Sequence, residues 1–161
     1  MANPGYMTIT GKAQGLISAG CSSKESIGNK YQSAHTDEIM MLPYTRNLTN
    51  FENNNSSTHG PIIISKYIDK SSPLLEQALT RREELDCTFD FYQTTPSGTQ
   101  EKFYSISIKG GLIVDLTQDM PDVIFQSDGE MREHVAFRFR EINYTNLRAA
   151  TSGYGFWGEP R

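Results

Sequence analysis

No stretch of this sequence is apolar for long enough to cross a membrane as a helix. The longest apolar runs, such as residues 61–64, span only a few positions, against the roughly 20 a bilayer core demands. The N-terminus, MANPGYMTITG, has neither a basic n-region nor an apolar h-region, so it does not read as a secretory signal peptide. Basic residues are in deficit: 15 Lys and Arg stand against 19 Asp and Glu, a net charge of -4. Gripping a nucleic-acid backbone or an anionic membrane takes concentrated positive charge, so neither partner is expected. Cysteine is scarce. Cys21 and Cys87 could form one bridge or remain two thiols, and without a CxxC spacing they support neither a thioredoxin-like site nor a zinc ribbon. GxxxxGK[ST] and GxSxG are missing, which leaves a P-loop and a nucleophile elbow without support.

What is present points to one soluble domain spanning 1–161. The 161 residues are 37% hydrophobic and 21% charged, the balance of a globular protein with one core. Most of it reads as strands. Residues 6–10 alternate, with Met7 and Ile9 on one face and Thr8 and Thr10 on the other. A short run follows at 16–19. Residues 38–44 are apolar on both faces, as in a strand buried on two sides, with Pro43 marking an edge or bulge. Further strands are expected at 62–68, 85–92, 103–109, 112–116 and 135–144. Cys87 shares a face with Phe89 and Phe91 and reads as a core thiol. Pro96, Ser97 and Gly98 make a hairpin of 85–109, and Gly110 and Gly111 bend the chain after it.

One helix stands out. Ser72 is a suitable N-cap, Pro73 suits the first turn, and Leu74, Leu75, Ala78 and Leu79 form an apolar stripe. Gln77, Thr80, Arg81 and Glu84 lie on the polar side, with the helix expected to end near Glu84. One helix among about eight strands predicts a mainly β fold, a sheet or barrel with the helix packed outside it. Two segments read as loops: 21–36, and the Asn-rich 50–60 (NFENNNSSTHG), which is long for a connection inside a compact domain. The tail from Thr151 is Gly-rich yet holds Tyr154, Phe156 and the single Trp157, rings that pack either on the domain or on a neighbour.

Candidates for chemistry are few. His35, His59 and His134 are scattered, with no HxH or HxxxH spacing. His35 near Asp37 and Glu38 could hold a metal, but a solvated loop end is the expected reading. Carboxylates gather at Glu83, Glu84, Asp86 and Asp90, and at Asp115, Asp119 and Asp122. A glycosidase needs two such groups across a cleft, whereas these fall at element ends or polar positions and read as solvated faces. No catalytic residue, cofactor or metal is therefore expected, and weight moves toward a binding or structural role.

The run Ile64-Ser65-Lys66-Tyr67-Ile68-Asp69-Lys70-Ser71-Ser72-Pro73-Leu74 resembles the signature of the Hcp (haemolysin-coregulated protein) family, tube subunits of the bacterial type VI secretion system. There a strand ending in K-x-I/T-D-K-S-[ST]-P leads into the one substantial helix. His35-Thr36-Asp37-Glu38-Ile39 is similar to the family's H-x-[DE]-E-I, and Tyr6–Gly11 with Gly15 to its first strand and turn. SAGCS, NLTNFENNNSSTHGPIII and SSPLLEQALTRREELDCTFDFY look like the enterobacterial branch. From Met131 onward the likeness is weaker.

The resemblance implies a compact barrel of two antiparallel sheets with one helix on its side, similar to a phage tail-tube subunit. It implies homohexameric rings stacked into a tube, beneath a spike protein and inside a contractile sheath, with effector proteins carried and chaperoned in the lumen. It implies no enzymatic activity. Localisation would be cytoplasmic before firing, then extracellular or in a target cell. The family's extended loop corresponds to Asn50, Glu52, Asn53, Asn54, Asn55, Ser56, Ser57, Thr58 and His59, expected to reach a neighbouring protomer or ring. Gln77, Thr80 and Arg81 are candidates for the lumen. The alternatives are a phage-like tail-tube subunit and, in a different class, a carbohydrate-binding or hydrolytic β-sandwich using Asp86 and Asp90.

Overall fold

Period-two alternation dominates the chain, and the computed structural model, which describes residues 3–30, 32–50, 57–126 and 128–157, is correspondingly built from strands. In order these are β1 (Gly5–Gly11), β2 (Gly15–Leu16), β3 (Ile39–Met41), β4 (Tyr44–Thr45), β5 (Leu48–Asn50), β6 (Ser57–His59), β7 (Ile62–Tyr67), β8 (Leu85–Thr94), β9 (Gln100–Asp119), β10 (Arg132–Arg138), β11 (Glu141–Asn146) and β12 (Thr151–Phe156). Two α-helices join them, α1 (Lys24–Ile27) before β3 and α2 (Ser72–Thr80) after β7.

Every ladder is antiparallel, in the order β2-β1-β8-β9-β10-β7-β4, with β3 on β1, β11 on β9 and β12 on β11. The long β9 is shared. Its first half pairs with β8 and β11, and its second half with β10. The runs expected at 103–109 and 112–116 are thus one strand that turns a corner from one sheet to the other. The corner sits at Gly110, whose φ of 65° falls in the left-handed region that glycine tolerates. Opposite it, the β8 register slips between Leu85 and Cys87, a bulge that sharpens the local twist. The inward faces of both sheets make one core. Met7, Ile9, Phe89, Ile106 and Ile108 come from the first sheet, and Ile62, Ile64, Val135 and Phe137 from the second. At roughly 1.5–3 kcal/mol for each fully buried large apolar side chain, these residues dominate the stabilisation.

The two antiparallel sheets are as expected, but their ladder does not close into a complete barrel. The strand predicted over 38–44 shows why. It divides at Leu42 and Pro43 into β3, paired with β1, and β4, paired with β7. Pro43 has no N–H to donate, and outside the ladders two bonds tie this crossing to β7: Leu42 N–H to the Ser65 carbonyl (2.8 Å) and Ser65 N–H to the Pro43 carbonyl (3.1 Å).

Other boundaries move too. The run at 16–19 is strand only over Gly15–Leu16; beyond it Ile17 and Ser18 turn back onto the Ile9 carbonyl. Residues 135–144 divide between β10 and β11. The segment 21–36, expected as a loop, contains α1 and two 3-10 turns. In α2, Ser72 is the first helical residue and Ser71 the cap position, and the helix stops at Thr80 because Arg82 takes a left-handed φ of 51°. Ser72, Leu75 and Ala78 form its buried face. The 50–60 segment is partly strand. β5 and β6 form a separate two-stranded hairpin, Leu48 opposite His59 and Asn50 opposite Ser57. Its tip, including Glu52, Asn53, Asn54, Asn55 and Ser56, lies outside the described residues.

Candidate functional site

The motif that carries the family resemblance folds into a buried ionic knot rather than a surface. Alternation along β7 sends Lys66 inward with Ile62 and Ile64, and the register sets it opposite Glu133 of β10. Lys66 Nζ lies 2.5 Å from Glu133 Oε1, 3.0 Å from Asp69 Oδ1, 3.0 Å from the Tyr67 carbonyl and 3.3 Å from Ser72 Oγ. Neither the Lys66 nor the Glu133 side chain is exposed. The surplus negative charge is held by further donors. Ser71 N–H (2.9 Å) and Ser71 Oγ (2.5 Å) donate to Asp69, Ser72 Oγ donates to Glu133 Oε1 (3.0 Å), and Gln118 of β9 donates to Glu133 Oε2 (3.2 Å). The knot therefore joins β7, β9, β10 and the start of α2, and it fixes the strand-to-helix turn. Lys70 takes no part in these bonds; its backbone N–H is bound by Ser26 Oγ (2.8 Å), and Pro73 completes the first turn.

Cys21 packs beside this knot. Burial first, then the negative charge of Asp69, push its thiol up to about 12, with Ser71 hydrogen bonds and Lys66 opposing. Cys87 is pushed up by burial and then by Asp86. Both are buried free thiols, so of the two readings open at the sequence level the bridge is not formed.

Two groups expected in solvent are buried. His35 is not a solvated loop end: its ring stacks on Tyr6 at 3.8 Å between centroids and meets the Tyr92 ring edge-on, with Nδ1 3.3 Å from Glu38 Oε1. Burial first and then Glu38 raise the Tyr92 hydroxyl to about 12. Glu83 is likewise not part of a solvated face. Its Oε2 accepts the N–H groups of Ala13 (3.0 Å) and Gln14 (2.8 Å), and Oε1 accepts from Gln14 Nε2 (2.9 Å). Burial pushes this carboxyl up, but the Gln14 and Ala13 bonds outweigh it and hold it below the usual carboxylate range. Glu83 thereby ties the β1–β2 turn to the end of α2.

The remaining carboxylates differ in their surroundings. Asp90 is buried, accepts from Ser105 Oγ (2.7 Å) and faces Lys102 at 3.4 Å, while Asp86 is exposed. Glu84 sits between Lys12 (3.1 Å) and Arg140 (2.8 Å). Asp115, Asp119 and Asp122 are exposed, as expected. Among the described residues no group of three His, Cys, Asp or Glu side chains could hold a metal ion.

His134 is the constellation that sequence spacing missed, because its partners lie 69 and 15 positions away. Its Nδ1 is 2.5 Å from Ser65 Oγ and its Nε2 is 2.6 Å from Asp119 Oδ2. A serine hydrolase uses these nitrogens the other way round, with Nε2 on the serine. Here Ser65 is buried and its backbone N–H is committed to Pro43. The arrangement reads as a cross-strand link along the outer face of β7, β10 and β9.

The described part of the 48–59 hairpin is anchored by His59. Its ring stacks near Trp157 (6.0 Å) and meets Phe139 edge-on (5.3 Å). Burial and then Arg46 hold this imidazole below its ordinary value, with a Phe156 backbone hydrogen bond opposing. Trp157 meets Phe139 edge-on at 5.1 Å, so this ring of the tail packs on its own domain, while Tyr154 stays exposed. On α2, Gln77 is half-buried and Thr80 is exposed, as is Arg81 just after it. The sequence reading also passed over Met120, Val123, Ile124 and Phe125. Met120 lies within the Asp115–Asp122 carboxylates and the other three follow directly after them, and all four stand exposed.

Residues 6–145 match the family model "Type VI secretion system effector, Hcp". The chain is 36% identical over 171 residues to the "Major exported protein" of Pseudomonas aeruginosa, covering 99% of this chain and 98% of that one. It is similar in structure to an Hcp protein crystal structure, with a TM-score of 0.91 at 31% identity over 99% of this chain and 100% of the other. It is also similar to the secreted protein Hcp3 from Pseudomonas aeruginosa, with a TM-score of 0.87 at 36% identity over 98% of this chain and 100% of that one.

Proposed function

The chain belongs to the Hcp family of the type VI secretion system, and from that premise we propose that it works as a repeated, non-enzymatic building unit whose surfaces do its job. It is a secreted tube protein of that system. Six copies close into a ring, and rings stack into a conduit beneath a spike protein and within a contractile sheath. Effector proteins travel in the lumen. The subunit starts in the cytoplasm and leaves with the fired tube. The hairpin of β5 and β6, with residues 52–56 at its tip, reaches a neighbouring protomer or ring, and Gln77 and Thr80 of α2 with Arg81 just after it are candidates for the lumen wall.

One observation carries this reading. The polar side chains that chemistry would recruit (Lys66, Asp69, Glu83, Asp90, Glu133) are bound up in holding elements together, while large apolar side chains are left exposed at a hairpin end. Buried, mutually satisfied polar groups specify a fold; exposed apolar groups at one place mark a contact with another protein.

The test is the mass of the purified protein in solution, with electron microscopy of the same sample. Six-fold annular particles are expected. A chain that stays monomeric at high concentration and never reaches the medium of firing cells would overturn the reading.

A further inference from the structure

The second half of β9 and all of β10 form a hairpin whose two ends differ in chemistry. At one end, residues 120–131 connect the strands. There Asp122 Oδ1 accepts the N–H groups of Ile124 (2.8 Å) and Phe125 (3.3 Å), and the Asp122 carbonyl accepts that of Gln126 (2.8 Å). This built turn holds Met120, Val123, Ile124 and Phe125 open to water at 72%, 72%, 79% and 84% exposure. Four large apolar side chains so displayed serve no packing purpose inside the chain, and clustered exposure of this kind marks an interaction site.

At the other end, roughly 20 Å away along the strands at about 3.3 Å per residue, lies an open hollow of about 570 Å³. Leu112, Phe139, Phe156 and Trp157 line it, together with Arg138 and Arg140. The two ends differ in net charge: Asp119, Asp122, Asp128 and Glu130 outnumber Arg132 at the tip, whereas Arg138 and Arg140 line the hollow. Arg140 is paired with Glu84, but Arg138 lies over the Trp157 ring at 5.2 Å and has no acidic partner among the described residues. On the tip, Asp119 is bound to His134 and Glu130 to Lys30, while Asp128 has no cationic partner among the described residues.

We propose that the apolar tip carrying Ile124 and Phe125 docks into the Leu112–Trp157 hollow of a second copy of this chain. The tip and the hollow lie at opposite ends of the β9–β10 hairpin, so they do not meet within a copy. A contact between unlike surfaces is head to tail, and it either closes into a ring or runs on as a stack. The inference rests on the tube reading above and names the surfaces through which copies would join.

The test uses the full chain carrying Ile124→Cys and Leu112→Cys, treated with a short bis-maleimide; native Cys21 and Cys87 are buried and leave the new thiols as the reactive pair. A ladder of linked chains extending beyond dimers is expected. Adding Phe125→Ser and Arg138→Glu, both at exposed positions, should cut its yield at least tenfold. Monomers alone, or a ladder those changes leave untouched, would overturn the contact. The native mass of the unaltered chain separates the two levels. A multi-subunit mass without linkage sinks this contact and leaves the tube reading standing, whereas a monomeric mass without linkage sinks both.

Discussion

Lys66 and Glu133 face each other across β7 and β10, Nζ to Oε1 at 2.5 Å, with neither side chain reaching solvent. Removing one partner of such a pair leaves a buried charge uncompensated, which costs about 3–5 kcal/mol, whereas replacing both with apolar groups is often far milder. Lys66→Met should therefore lower stability in urea unfolding by about that amount, the more so because Asp69 loses the same cation. Lys66→Met combined with Glu133→Met should recover part of the loss. A single variant as stable as the parent would remove the knot from any role in the fold.

Glu83 gives stability a pH dependence of known sign. Its folded pKa lies below the ordinary 4.5 because the Gln14 and Ala13 bonds outweigh burial. A carboxylate depressed in this way stabilises the fold at all pH above its unfolded value and loses that contribution as pH falls through the folded value. Melting temperatures measured from pH 7 down to about 3 should show Glu83→Gln less stable at neutral pH and less sensitive to acid below about 4.5. Parallel curves for the two proteins would contradict the assignment.

Much of this was legible in the sequence. The alternation of Met7 with Ile9 and of Phe89 with Cys87 placed core faces correctly, and Pro96-Ser97-Gly98 marked the β8–β9 hairpin, whose turn is closed by bonds between Thr95 and Thr99. Apolar spacing found α2. Burial of polar groups was not legible, because it depends on partners distant in sequence. His35 needs Tyr6 and Tyr92, Glu83 needs a turn 69 positions away, and Lys66 needs Glu133, 67 positions on. Periodicity reports which face a residue occupies, but it cannot show that a lysine on the inward face has been neutralised. The β5–β6 pairing escaped because each strand is three residues long with one β-branched residue, Thr49 or Thr58, too short a run to show a period.

The cysteines should be inert in the native protein. A thiol nucleophile reacts as thiolate, and Cys21, pushed up to about 12, holds almost none at pH 8. Cys87 is also buried and raised. Ellman's reagent at pH 8 should release no more than a trace of colour from native protein and two equivalents after denaturation. Rapid labelling of one native thiol would show that the region around α2 or β8 opens far more readily than its packing indicates.

The hairpin of β5 and β6 forms its own two-stranded sheet, outside the main ladder. Shortening its tip by residues 53–56 should shift the melting temperature by only a few degrees while weakening ring or tube formation, as read by sedimentation. Assembly at the parental concentration would refute the proposed reach to a neighbour, and loss of the folded monomer would show that the hairpin supports the core instead.

Gly110 sits at the corner of the fold, because β9 serves both sheets by turning there. Its φ of 65° disfavours any residue with a Cβ, at about 1–2 kcal/mol. A Cβ at that position would also stand 2.8 Å from Arg140 Cβ. The guanidinium, also within 3.0 Å, could swing aside only by breaking its 2.8 Å bond to Glu84, and Arg140 Cβ could move only with the backbone. Gly110→Ala should therefore cost at least about 1–2 kcal/mol, and Gly110→Val more, since a β-branched side chain tolerates positive φ least. Placing alanine at Gly98 separates the two causes. That glycine has φ 87° with nothing within 4 Å of a Cβ, so its substitution measures backbone strain alone. Equal losses at both positions would mean that the Arg140 contact adds nothing and that the corner rests on dihedral freedom by itself.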